Sequence, residues 1–150
     1  MKIRSLTKAQ VEAEPFQVWN SFVDLLAMET YEALSSEQRP AHLVFWYESE
    51  VQNGGHFQYF ENHEARHLKE TVEALGLLGA KCQQKILSEA GKVWLSSSRE
   101  KIGTAKEFCE EALEGEFNSF DSRFHACLPN LQKILEDYLG RNQSLFVEVK

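Results

Sequence analysis

Cysteine is scarce in this chain and its count is odd: Cys82, Cys109 and Cys127 are the only three. None stands in a C-x-x-C pair, so neither a disulfide framework nor a zinc ribbon is expected, and all three read as reduced, partly buried thiols. Glycine, with eight residues, and proline, with three, are too few for a low-complexity or collagen-like chain. Long apolar runs are missing. The stretch 43–47 is far too short to span a bilayer, so no membrane association is expected. The opening Met-Lys-Ile-Arg-Ser-Leu-Thr-Lys lacks the apolar segment of a signal peptide, which predicts a cytoplasmic location. Bases are outnumbered, 16 Lys and Arg against 23 Asp and Glu, for a net charge of −7. That balance disfavours direct contact with nucleic acid. No Gly-rich phosphate loop, dinucleotide fingerprint or nucleophile elbow is found, and the serines at 96–98 have no such context. Cys109 and His125 could be cast as nucleophile and base, but their spacing does not favour it. No cofactor and no catalytic residue is therefore expected.

What remains is the composition of one ordinary domain over residues 1–150, 43% hydrophobic with ten phenylalanines. Apolar residues recur at helical spacing. Phe16, Trp19, Phe22, Val23 and Leu26 predict a helix over 15–34, with Pro15 in its first turn. Ser35 and Ser36 offer an N-cap to a second helix over 37–53, striped by Leu43, Trp46, Tyr47 and Val51. Asn53-Gly54-Gly55 ends it, and a short third helix covers 56–61 with Phe57 and Phe60 inward. Leu68, Val72 and Leu75 mark a fourth helix that stops near Gly79; Cys82, Ile86, Ala90, Val93 and Trp94 mark a fifth. Residues 96–98 read as a loop or cap, 100–113 as a sixth helix ended by Gly115, and Phe117, Phe120 and Phe124 as an apolar connector or short helix. A final helix carries Leu128, Leu131, Ile134, Leu135, Tyr138 and Leu139, with Pro129 in its first turn. The tail 145–149 alternates weakly and reads as a short strand. The expected fold is all-α: six to eight short antiparallel or orthogonal helices with a short C-terminal strand.

Charge is laid out in blocks. Residues 1–8 carry three bases and no acid; residues 9–65 carry ten acids and one base, Arg39. Residues 66–106 are net +4, residues 107–121 hold six acids and no base, and the remainder is net +1. Such blocks either form an interaction surface or face each other within the fold.

The most distinctive stretch runs Trp46-Tyr47-Glu48-Ser49-Glu50-Val51-Gln52-Asn53-Gly54-Gly55-His56-Phe57-Gln58-Tyr59-Phe60-Glu61-Asn62. It interleaves aromatics with Glu50, Asn53, Gln58 and Asn62 and resembles the signature E-x-E-V-x-N-G-G-F-x-Q-Y-F-x-N of the DNA-mimic-protein family, small helical bacterial proteins. The resemblance continues through Thr71–Leu75 and Leu78-Gly79-Ala80 and from Phe117 to Tyr138, so a family-like core covers about 36–142. His56 departs from the signature, since it stands where an aromatic follows the glycines and Phe57 fills that slot one place later. The resemblance implies a protein that presents acidic side chains to a DNA-binding protein and blocks it.

On the residues themselves, three roles stay open for the signature: building the fold, lining a ligand pocket, or forming a protein-contact site. The glycines permit a tight helix reversal, Asn53 can cap, Glu50 can meet the free N–H groups of the next helix, and Gln58 and Asn62 can satisfy backbone groups. Alternatively, Trp46, Glu50, Asn53, Gln58 and Tyr59 line a ligand pocket. A mimic needs a row of carboxylates echoing phosphates. Glu107, Glu110 or Glu111, and Glu114 share one helical face, and Asp24, Glu29, Glu32, Glu48 and Glu61 are the further candidates. The plain alternative is a solvated helix face.

One motif points elsewhere. His63-Glu64-Ala65-Arg66-His67 matches H-E-x-x-H, in which two histidines at i and i+4 of a helix bind zinc and the glutamate acts as base. A helix break in this stretch would spoil that geometry. The expected function is thus a non-catalytic acidic protein with a basic partner such as a DNA-binding regulator, and a homodimer is also compatible. The alternatives are a small zinc hydrolase or a host-specific accessory or antidote protein.

Overall fold

The structure, a computed structural model, describes residues 1–100 and 106–150, with side chains described outside 97–114. The order is β1 (Arg4–Leu6), α1 (Lys8–Ala13), α2 (Gln17–Met28), α3 (Arg39–His63), α4 (Leu68–Leu77), α5 (Lys81–Glu100), α6 (Lys106–Ala126), α7 (Leu131–Asn142), a single 3-10 turn (Gln143–Leu145) and β2 (Val147–Val149). The expected all-helical array with a short C-terminal strand is what the chain forms.

α3 is the spine, packed against α2, α4, α6 and α7. It is two helices joined at a corner, because Gly54 (φ −155°, ψ 17°) and Gly55 (φ 78°, ψ −178°) leave the helical region. The arms, 39–53 and 56–63, correspond to the second and third predicted helices. Pro40 lies in the first turn of the first arm, where the missing N–H costs nothing. Ahead of it the Ser35 hydroxyl accepts from Gln38 N–H (3.3 Å), while Gln38 Oε1 accepts from Ser35 N–H (3.0 Å).

The core is continuous. α2 contributes Phe22, Leu25 and Leu26; the arms of α3 contribute Val44, Tyr47, Val51, Tyr59 and Phe60; α6 adds Phe117, Phe120 and Phe124; α7 adds Leu131, Leu135 and Leu139. Gly79 (φ 88°) stops α4 in the left-handed turn that the sequence predicts, with Ala80 N–H reaching back to Leu75 C=O at 2.8 Å.

Several expectations are corrected. The tail strand is paired: β2 runs parallel to β1, with Arg4 opposite Val147. β1 was invisible because three residues are too short for a periodic signal. α1 also escaped notice, although Thr7 and Gln10 form a reciprocal capping box. Buried Gln38 ties both chain ends together, its Nε2 donating to the Lys2 and Leu145 carbonyls. Residues 96–98 continue α5 rather than form a loop, so the predicted start of a helix at 100 is displaced. Gly115 lies inside α6, and the aromatic connector is its second half, since Phe117, Phe120 and Phe124 are one buried stripe. Pro129 precedes the α7 N-cap, which is Asn130, accepting from Lys133 N–H at 2.9 Å.

The cysteines are the sharpest correction. Cys82, at the start of α5, and Cys127, just after α6, form a disulfide across 45 residues. Sequence spacing could not find it, because connectivity depends on how α5 and α6 pack. Cys109 has its side chain outside the described residues. Thiol titration of the denatured, unreduced protein should find one thiol per chain, rising to three after reduction; three at the outset would show that the pair is not oxidised.

Candidate functional site

The corner of α3 gathers most of the signature. Gly55 has a positive φ that non-glycine residues rarely adopt. A methyl group there would also run into the Asp121 carboxylate of α6. Asp121 Oδ1 accepts the His56 backbone N–H (2.8 Å), capping the second arm, and also the His56 Nδ1–H (2.6 Å). With Nδ1 donating to the carboxylate, Nε2 is left as acceptor for the Tyr47 hydroxyl at 2.7 Å. His56 and Tyr47 are wholly buried, with Phe120 and Phe124 edge-on around the imidazole. Burial pushes the Asp121 carboxyl upward, but the side-chain and backbone hydrogen bonds from His56 outweigh it and hold the group below its ordinary 3.8. Burial also drives the Tyr47 hydroxyl well above its ordinary value, so it stays a neutral donor.

Glu50 organises the other side of the corner. Its Oε2 accepts from Gln58 Nε2 and Asn62 Nδ2, both at 2.8 Å. Burial raises the Glu50 carboxyl, while bonds from Gln58, Asn62 and His63 lower it further, leaving it below the usual carboxylate range. The cap of the second arm is thus Asp121, not Glu50, and Gln58 and Asn62 serve a carboxylate rather than the backbone. Gly54 leaves no room for a Cβ beside the Gln58 amide. Together Trp46, Ser49, Glu50, Asn53, Gln58 and Asn62 line a groove of about 320 Å³. Tyr59 is buried and does not face it; with Trp46 it lines a separate cavity of about 190 Å³ that also holds Tyr31, Glu32, His42, His63 and His67. There His67 stacks on Tyr31 (4.0 Å) and His63 on Tyr59 (5.1 Å).

The zinc-protease motif does not keep its helix. α3 ends at His63, and Glu64 (φ 49°), Ala65 (φ 58°) and His67 (φ 57°) are left-handed, so His63 and His67 are not one turn apart on a face. Among the described residues no group of three His, Cys, Asp or Glu stands close enough to hold a metal ion.

The candidate acids differ in setting. Asp24 (2.7 Å) and Glu29 (3.3 Å) share Arg4, which cancels part of their charge. Glu48 is half-buried, and burial raises its carboxyl despite a bond from Gln52 and the nearby His125. Glu32 and Glu61 are exposed, and the side chains of Glu107, Glu110, Glu111 and Glu114 lie outside the described residues. Exposed Glu12, Glu37, Glu64, Glu70 and Glu73 have no ion pair among the described residues. His56 and Asp121 are the residues that sequence reasoning left without a role. The one signal was an acid and an imidazole set among aromatics, since a polar side chain on an apolar stripe needs a partner.

A family model described as DMP19-like protein matches residues 32–142. No curated protein and no solved structure matches the chain.

Two outcomes follow from the corner. Gly55→Ala should cost about 2 kcal/mol or more in urea unfolding, through backbone strain and the collision with Asp121. Asp121→Asn should flatten the acid limb of stability. The wild-type carboxylate is lowered on folding, so its contribution is present above pH 3.8 and lost as pH falls through the lower native value. A variant with the wild-type acid limb would refute this assignment.

Proposed function

This chain belongs to the DMP19-like protein family, and we propose that it is a non-catalytic acidic protein that occupies the DNA site of a basic DNA-binding protein. Family membership over residues 32–142 is the observation that carries the reading. The charge distribution supports it. Ten acids against one base in residues 9–65, and six against none in 107–121, concentrate negative charge in two stretches of a chain of net −7. Arg4 draws off Asp24 and Glu29, so Glu32, Glu61 and the α6 acids Glu107, Glu110, Glu111 and Glu114 are the phosphate substitutes of choice. Carboxylates one helical turn apart give charges about 5–6 Å apart, sparser than the phosphates of one strand. A second acidic element must therefore complete the face, and the acids of residues 9–65 supply it.

A mimic competes with what it imitates. The immobilised protein should retain a DNA-binding protein from bacterial lysate at low salt and release it as salt rises, with affinity falling linearly in log salt. The target DNA should displace the chain from that protein, and Gln at 107, 110, 111 and 114 together should weaken binding by about tenfold or more. A retained protein that binds its DNA and this chain simultaneously would sink the proposal.

A further inference from the structure

The groove beside the α3 corner has the chemistry of a guanidinium site, and we propose that it receives an arginine side chain of the basic partner. This rests on the acidic-protein reading above. The base of the groove is Glu50, whose side chain is only 14% exposed and which pairs with no Lys or Arg among the described residues. One oxygen, Oε2, is fixed by Gln58 and Asn62. The other, Oε1, is met by His63 Nε2 at 3.4 Å, an ion-pair distance at which the ring nitrogen makes no hydrogen bond of good geometry. A mostly buried carboxylate with one oxygen met only by a distant imidazole can still take a closer cationic donor.

The wall is Trp46. Its Nε1–H is spent on the Leu26 carbonyl (3.2 Å) and its ring is set by Phe45 at 5.6 Å, so the indole is anchored before any ligand arrives. An indole beside a carboxylate suits a planar cation that stacks and donates at once, which a guanidinium does and an ammonium does less well. Asn53, exposed at the rim with no side-chain bond among the described residues, supplies a further acceptor for the fork of donors. A neutral sugar could stack on the same indole, but it would leave the Glu50 charge uncompensated. The groove, about 320 Å³, admits one side chain rather than a helix or strand.

The test uses the full chain and the blocked tripeptides Ac-Gly-Arg-Gly-NH2 and Ac-Gly-Lys-Gly-NH2, with nuclear magnetic resonance at low salt. The arginine peptide should shift the Trp46 indole and the Gln58 and Asn62 side-chain amides saturably, and bind about fivefold more tightly than the lysine peptide. Glu50→Gln should weaken it about tenfold, while Asp137→Asn, a surface acid on α7, should not. Asn53→Ala, which touches no brace of the corner, should weaken it by a smaller factor. Largest shifts away from the groove, or equal loss in Glu50→Gln and Asp137→Asn, would overturn the proposal as diffuse attraction. The two readings fail separately. A DNA-binding protein that holds wild type and Glu50→Gln alike removes the groove and leaves the mimic. Peptide binding at Trp46 without any such protein supports the groove and removes the mimic.

Discussion

One carboxylate decides how the spine of this molecule turns. Asp121 takes the first free N–H of the second arm of α3 and the ring N–H of the same residue, His56, on a single oxygen. It thereby fixes the direction in which α3 restarts after the glycines and the distance between α3 and α6. A buried imidazole needs both nitrogens satisfied, or the desolvation cost falls on the fold. Asp121 serves one nitrogen and Tyr47, from the arm before the corner, serves the other at 2.7 Å. The two arms and α6 are therefore locked by one chain of bonds. Beyond it, Phe60 of the second arm packs on Trp94 of α5 and Phe117 of α6, at ring distances of 5.3 and 5.5 Å.

The legible parts of the fold were those with a local physical cause. Helical spacing over 17–28, though the helix ends six residues short of the predicted 34, the break at Gly54-Gly55 and the stop at Gly79 each depend on residues within a turn or two of one another. The stretch 46–62 stood out for the same reason, since Glu50, Gln58 and Asn62 meet one another around one corner. What was hidden depends on pairs far apart in sequence. Cys82 meets Cys127, Arg4 meets Val147 across the strands, and His56 meets Asp121 across 65 residues. Serines at 96–98 and Gly115 misled because local breakers were weighed against helices whose tertiary packing overrides them. For the site, Trp46, Glu50, Asn53 and Gln58 line one groove, while Tyr59 turned into the core.

Electrostatics sharpen which acids can act outward. The basic N-terminal block is not a separate arm, since Arg4 lies in β1 and draws Asp24 and Glu29 inward. On α5 and α6, Glu89 meets Arg123 at 2.7 Å, so an acid within the central basic block is taken up by a base from outside it. Exposed pairs of this kind contribute little stability. Their larger effect is to subtract charge from some positions and leave others, such as the exposed Glu32 and Glu64, without an ion pair among the described residues.

The two carboxylates at the corner are held in different ways, and the difference bears on why the signature is so polar. Asp121 is bonded by a backbone N–H and by a ring already packed among phenylalanines, groups that lose little freedom in the act. Glu50 is bonded by two side-chain amides, each of which gives up rotamer freedom to reach it. Bonds to a charged acceptor are stronger than neutral ones, so the two amides offset their ordering cost and hold the carboxylate ionised and fixed, with its other oxygen facing only His63. Keeping Glu50 ionised, mostly covered and with one oxygen met only by His63 at 3.4 Å makes physical sense when the charge is wanted for something that arrives from outside.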